Sequence, residues 1–294
     1  MQNNFLIAIN KPTGLTSSDV VVKVRHILSN YFNSKVKVGH MGTLDPGAAG
    51  LLLVGVNKAT RLFDLLLSKN KSYIGRLSFG KDTDTLDSYG KVINESKLPS
   101  KDEVLNKLNL FIGQIKQIPP MYSALKINGQ KAYDLARKNI DIDLPERIVN
   151  INNIEVISFI ENDGKLKSID LSINCSSGTY IRTLFHDIAN KCNVCGYMSY
   201  LIRNSLDNIT LDQAATLDEL KENPEKYFID PLDIVKSFLP VYELNDKEYN
   251  FISTGRTIKT SLNKNKIALT YKNELKFIGE NIDNNIKSIA NLEW

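Results

Sequence analysis

A single carboxylate, Asp45, stands in the glycine-rich run Val38-Gly39-His40-Met41-Gly42-Thr43-Leu44-Asp45-Pro46-Gly47-Ala48-Ala49-Gly50. Four glycines in twelve residues give the backbone freedom that a tight loop needs, and Pro46 biases Asp45 toward an extended conformation while removing one amide donor. Leu51-Leu52-Leu53-Val54 follows and reads as a buried strand, so a rigid element stands behind the loop. An Asx-type turn, with Asp45 bonding its own backbone, is the plain alternative for any Asp-Pro-Gly triplet. A phosphate-cradling loop is excluded. Gly50 and Gly55 have the spacing, but Val56-Asn57 stands where Lys and Ser/Thr are required, and no GxGxxG occurs. After Asp45 the next acid is Asp64, so a paired-carboxylate mechanism has no local support and a solitary nucleophile or base is the functional option.

The elements around this loop can be read from pattern. Residues 5–9 form an apolar strand that ends in the turn Asn10-Lys11-Pro12-Thr13-Gly14. Thr16 and Asp19 have capping-box spacing ahead of a helix over 20–28, on which His26 is a packed or surface residue. Residues 60–67 read as a helix with Leu62, Leu65 and Leu66 inward. Residues 73–79 alternate, placing Tyr73, Leu77 and Phe79 on one strand face and Arg76 on the other; a core tyrosine is the alternative to a functional one at Tyr73. The loop with Asp82, Asp84 and Asp87 is similar to a calcium loop but has Leu86 and Asp87 where a ligand and a glycine are needed.

Ser100 and Glu103 form a second capping box before a helix carrying Val104, Leu105, Leu108, Phe111 and Ile112. Pro119-Pro120 stops regular structure, Met121 to Lys126 is extended, and a short helix covers 132–137. Residues 148–159 and 169–175 read as strands. A second candidate segment, Ser176-Ser177-Gly178-Thr179-Tyr180-Ile181-Arg182, lies where the later strand meets a helix. Ile181, Leu184, Phe185 and Ile188 form that helix's apolar stripe, which leaves Tyr180 and Arg182 beside it, with Arg182 free to reach a partner such as Asp45. A surface Arg with a half-buried Tyr is the alternative.

Leu201-Ile202-Arg203 precedes a turn, Thr216 and Glu219 give a third capping box, and Leu239-Pro240 reads as a linker. Residues 241–294 fall into short runs around the turn Lys272-Asn273, as in a small all-β module. The fold class is therefore α+β, a mixed, largely antiparallel sheet with packed helices over residues 1–238, plus a β-rich module over 240–294.

Composition narrows the class of protein. The 294 residues hold 42% hydrophobic and 24% charged side chains, ordinary globular values, and no run approaches membrane-spanning length. The start, Met1-Gln2-Asn3-Asn4, lacks the basic region of a signal peptide, which places the protein in the cytoplasm. Three cysteines argue against a disulfide framework, and Cys192-Asn193-Val194-Cys195 has no second pair, so Cys175 and the pair read as free thiols and no metal site is expected. Residues 1–76 carry ten Lys or Arg against three acids, a balance of +7, while the rest carries 27 against 30. A basic excess on the segment holding the loop is what a polyanion partner requires.

Gly39-His40-Met41-Gly42-Thr43-Leu44-Asp45-Pro46, with Lys11-Pro12 upstream and Lys71-Ser72-Tyr73 downstream, resembles the TruB family of pseudouridine synthases. Asp82-Thr83-Asp84-Thr85 with Asp87 and Gly90, Pro119-Pro120-Met121-Tyr122-Ser123-Ala124-Leu125-Lys126, and Ser177-Gly178-Thr179-Tyr180-Ile181-Arg182-Thr183 extend the likeness in family order over the first three quarters of the chain. The resemblance implies a pseudouridine synthase fold with a small PUA-like RNA-binding domain at 240–294. It implies isomerisation of uridine at position 55, in the T-loop of tRNA, with no cofactor and no guide RNA, by a monomeric enzyme. By the same resemblance Asp45 is the nucleophile or base, Tyr73 stacks on the flipped base and serves proton removal at C5, and Arg182 pairs with Asp45. Tyr180 and Leu201 line the base pocket, His40 contacts the remodelled T-loop, and Lys11 with Pro12 supports the active-site loop. Whether Asp45 attacks the base or the ribose, or abstracts a ribose proton, stays open. Met41 stands where the family usually has Thr, Gly47-Ala48-Ala49 replaces a Leu-Ala-Thr type of sequence, and Leu201-Ile202-Arg203 lacks the usual second Arg. The competing readings are a non-catalytic tRNA-folding protein on the same scaffold, a guide-RNA-dependent relative of the dyskerin type, and a sugar hydrolase, which would want a second carboxylate.

Overall fold

The apolar N-terminal run forms strand β1 (Leu6–Lys11), followed by helix α1 (Ser17–Tyr31). Thr16 closes the expected capping box: its hydroxyl accepts the Asp19 N–H at 3.0 Å, and the Asp19 carboxylate accepts the Thr16 N–H at 2.9 Å. Val20, Val24 and Leu28 are fully buried, so the helix presents one stripe to the core. Strands β2 (Val38–His40) and β3 (Ala49–Val56) flank the Asp45 loop and pair antiparallel, while β1 pairs along β3 with Ile9 opposite Leu52. The helix expected over 60–67 divides into a 3-10 turn, Asn57–Leu62, and helix α2 (Phe63–Leu67); Leu62 and Leu66 are buried and Leu65 is half-buried.

Strand β4 (Lys71–Phe79) alternates as its sequence predicts, with Tyr73, Leu77 and Phe79 on the buried face. Strands β5 (Lys81–Thr83) and β6 (Val92–Glu95) pair with one another, and helix α3 (Lys101–Leu108) starts at the Ser100–Glu103 capping box. This helix ends sooner than its apolar period implies. A 3-10 turn, Asn109–Phe111, leaves Ile112 exposed, and β7 (Gly113–Gln117) follows as a strand that the sequence does not announce. The short pair β8 (Lys126–Ile127) and β9 (Gln130–Lys131) precedes helix α4 (Ala132–Ala136). Strands β10 (Arg147–Asn162) and β11 (Lys165–Cys175), helix α5 (Ile181–Lys191) and strand β12 (Gly196–Leu206) complete this stretch. Leu201-Ile202-Arg203 thus lies inside a strand, and the expected turn follows at Asp207-Asn208, where Asp207 has a φ of +51°.

The chain continues through β13 (Ile209–Thr210), α6 (Leu217–Glu222) and α7 (Pro231–Val235) into β14 (Val241–Glu243), α8 (Asp246–Ser253), β15 (Ile258–Lys259), β16 (Lys266–Tyr271), β17 (Glu274–Ile282) and β18 (Asn285–Asn291). The last five strands form a sheet in the order β14-β16-β17-β18-β15. Lys272 and Asn273 both have positive φ, +53° and +61°, as a tight two-residue hairpin turn demands. The C-terminal module is β-rich but not all-β, because Asn245 and Glu248 form a capping box that starts α8.

The computed structural model describes residues 4–123, 125–127, 129–136 and 143–293. Met1-Gln2-Asn3, Ala124 and the Arg137 end of the short helix lie outside them. Contacts divide the chain into two units. The first gathers Met1–Pro46, Gly50–Leu67 and Asn208–Trp294, with one core of Ile7, Ile9, Val20, Leu28, Leu52 and Val54 and another, in the C-terminal module, of Ile267, Leu269, Phe277 and Ile286. Asn4 joins these ends by donating from Nδ2 to the Leu292 carbonyl at 2.6 Å. The second unit holds Gly47–Ala49 and Ser68–Asp207; its sheet runs β12-β4-β11-β10-β7, every neighbour antiparallel, with α5 contributing Leu184, Phe185 and Ile188 to the core. Among the described residues no helix is long and apolar enough to cross a membrane.

Candidate active site

In the first unit, Asp45 is half-buried and the peptides on either side of it are anchored. Lys11, at the end of β1, is fully buried and donates from Nζ to the carbonyls of Pro12 at 2.9 Å, Leu15 at 2.7 Å and Pro46 at 3.4 Å. The buried ammonium holds two carbonyls of the turn after β1 and one of the Asp45 loop, because an unmatched charge there would be costly. Gly14 adds its N–H to the Pro46 carbonyl at 2.8 Å, and its φ of +86° is a value that favours glycine. On the other side of Asp45, the Ser17 hydroxyl holds both backbone groups of Leu44. His40 lies on β2 opposite Val54, half-buried, just ahead of the loop.

In the second unit, Tyr73 sits on the buried face of β4, 7% exposed, with Arg203 of β12 and Ile173 of β11 as its strand partners. Leu201 is opposite Gly75 on the same pair of strands. A Cβ on Gly75 would come within 3.0 Å of Leu201 Cδ1 and 3.1 Å of Phe185 Cε2, so the missing side chain is what lets Leu201 lie between Tyr73 and Leu77 positions. Tyr180 is the residue before α5. Its N–H donates to Gln117 Oε1 at 3.1 Å and its carbonyl accepts from Gln117 Nε2 at 3.3 Å, while the Arg147 guanidinium lies 5.4 Å from its ring centre.

Arg182 is 5% exposed, not the surface arginine of the alternative reading. Its Nη1 donates to the Thr85 carbonyl at 3.0 Å, its Nη2 to the Tyr122 carbonyl at 2.9 Å, and Asp87 Oδ2 lies 3.8 Å from Nη1. One guanidinium therefore ties together the loop after β5, the Pro-Pro segment and the start of α5.

The aspartates of that loop are occupied by the protein's own donors. Asp82 Oδ1 accepts the Gly196 N–H at 2.8 Å and lies 3.5 Å from His186 Nδ1; Asp84 Oδ1 accepts the Lys91 N–H at 2.9 Å; Asp87 Oδ1 accepts the Thr85 hydroxyl at 2.6 Å and the Tyr89 N–H at 3.0 Å. Asp84 and Asp87 order their own loop, while Asp82 ties β5 to the start of β12. All three cysteines are buried free thiols, and burial pushes Cys175 up to about 11.

Ser17 and Gln117 are the site residues that sequence reading missed. Both bind backbone atoms of residues far along the chain, and only the spacing of Ser17 within Lys11-Pro12-Thr13-Gly14-Leu15-Thr16-Ser17 was available as a signal.

Residues 29–181 match the TruB family pseudouridylate synthase N-terminal domain. Over 283 residues the chain is 37% identical to tRNA pseudouridine synthase B of Lactobacillus johnsonii, which covers 94% of this chain and 93% of that one. The chain belongs to the TruB family. A second TruB relative, tRNA pseudouridine synthase B of Clostridium kluyveri, is 38% identical over 281 residues, 93% of each chain. The fold extends further: a chain of a Cbf5-Nop10-Gar1 complex superposes with a TM-score of 0.74 over 99% of this chain and 85% of that one at 22% identity. Within the TruB frame, Met41 is 1% exposed, and its Cε occupies the place that a Cβ on Gly55 would take, 2.5 Å away. The residue that departs from the usual Thr is therefore packed in the core against β3.

Proposed function

We propose that the protein isomerises uridine to pseudouridine at position 55, in the T-loop of tRNA, with Asp45 as the catalytic carboxylate. The observation that carries this reading is identity of 37% along nearly the whole length of an enzyme named tRNA pseudouridine synthase B, together with a loop in which Asp45 is the only acid. In the reaction the N1–C1′ bond breaks, the base turns and a C5–C1′ bond forms; C5 loses its proton and N1 gains one, so the step balances without a co-reactant. The base must leave the stack first, at a cost of a few kcal/mol that a fitted pocket offsets.

The residues divide the work by position. Asp45, between two anchored peptides, supplies a carboxylate with little freedom to drift. Tyr73 offers a ring that stacks on the flipped base, Tyr180 and Leu201 line its pocket, and Lys11 fixes the loop from behind. Arg182 holds a permanent positive charge in a fixed place, which favours an ionised carboxylate partner. His40 contacts the T-loop. The partner is tRNA alone, without guide RNA or membrane, and the enzyme acts as a cytoplasmic monomer; the relatives' names as tRNA enzymes and the basic balance of residues 1–76 support the tRNA partner.

Tritium release from tRNA transcript labelled at uridine C5, with mapping of the product, tests the proposal. Wild type releases tritium at one T-loop position, and Asp45→Asn binds tRNA but releases at a rate about 1,000-fold lower or less. A wild type that binds tRNA and releases no tritium overturns it and leaves the tRNA-folding protein.

A further inference from the structure

Ser17 takes no part in the chemistry above, yet it is the first residue of α1, 2% exposed, and spends its hydroxyl on a single distant residue. Oγ accepts the Leu44 N–H at 2.8 Å and donates to the Leu44 carbonyl at 3.0 Å. A hydroxyl does both strongly from one atom and a thiol only weakly, whereas an amide or carboxylate would need two atoms and an ammonium cannot accept. Leu44 is itself buried, 4% exposed, so its backbone groups depend on a protein partner. Across Asp45, Pro46 is held by Gly14 and Lys11. The corner between β1 and α1 thus grips the chain immediately before and immediately after the carboxylate.

We propose that Ser17 is a positioning residue for Asp45: its hydroxyl fixes the Leu44 peptide and with it the direction in which the Asp45 side chain leaves the backbone. The proposal rests on Asp45 being the catalytic carboxylate. Lys11 and Gly14 limit where Pro46 can go, and Ser17 supplies the matching restraint on the Leu44 side of Asp45. A displacement on the order of 1 Å at a reacting group lowers the rate about 100-fold while leaving remote binding contacts intact.

Single-turnover rates and tRNA affinity of Ser17→Ala, Ser17→Cys and Ser17→Thr, measured beside wild type and Asp45→Asn, decide the matter. Alanine and cysteine lower the single-turnover rate about 10- to 100-fold with Kd for tRNA within about threefold of wild type, and threonine, which keeps the hydroxyl, recovers the rate to within about threefold. Cysteine is close to serine in volume and bonds weakly, so it carries the test if alanine fails to fold. Wild-type rates in both variants, a loss that lies in Kd, or no recovery by threonine overturns the proposal. A fast Ser17→Cys beside an inactive Asp45→Asn removes only the role of Ser17; an active Asp45→Asn removes the reading of Asp45 itself.

Discussion

Lys71 opens β4 two residues before Tyr73 and is 6% exposed, its Nζ donating to the Lys69 carbonyl at 2.6 Å. Burial, and next the nearby Arg203 guanidinium, hold its ammonium down to about 8, against 10.5 for an ordinary lysine. Between those two values the unfolded chain keeps the proton and the folded chain has lost it, so stability rises with pH across that window; below about 8 the folded state bears the full penalty, up to about 3 kcal/mol. Thermal melts of wild type and Lys71→Met should therefore converge as pH rises from about 8 to about 10.5, with wild type gaining on the variant. Parallel melting curves across that range would contradict this. At this scale the sequence was informative where a side chain has an unusual neighbour in the chain, as with Asp45 before Pro46 or Lys11 before Pro12. Ser17 and Gln117 were invisible because their partners are backbone atoms, 27 and 63 residues away, and a backbone atom has no residue type to recognise.

Helix α5 shows how a functional element is held at its first turn. Gln117 bonds both backbone groups of Tyr180, Thr183 donates to the Ile118 carbonyl at 3.3 Å, and Arg182 donates to Tyr122, so the segment after β7 is laced to the helix start. Gln117 is 1% exposed; its replacement by alanine strips the Tyr180 N–H of its partner and should cost about 1–3 kcal/mol in urea unfolding, with faster hydrogen exchange at that amide than at Leu184. Equal protection factors in the variant and wild type would show that the clamp is idle. The helices were the more legible elements, because Thr16, Ser100 and Thr216 each form the box their spacing announces. Strand β12 went unread for a physical reason. Register shifts between Met198 and Tyr200 and between Arg203 and Ser205 break its period of two, so a buried strand with a buried arginine has the sequence of a loop. In β7, Ile115 is the one apolar residue, too few to set a pattern.

At the scale of the whole chain, sequence order and compactness part company. The linker reading at Leu239-Pro240 located the start of the last sheet, but residues 208–293 belong to the same compact unit as the first strands, with β18 beside the Asn57–Leu62 turn and Arg61 donating to the Asn291 carbonyl. A chain cut after residue 238 should accordingly melt at least about 5 °C lower than the full protein, beyond any loss of tRNA affinity. An unchanged melting temperature would mark the module as an independent appendage. Long-range pairing of this kind leaves no local trace, which is why no sequence pattern indicated it. The bond between Asn4 and Leu292 spans 288 residues. At about 5–20 residues per second of synthesis, Asn4 waits about 15–60 s for Leu292 to be made. Residues 68–207 form a nearly uninterrupted unit and can fold during that interval, while Phe5, Ile7 and Ile9 stay without part of their native cover until Phe228 has been made.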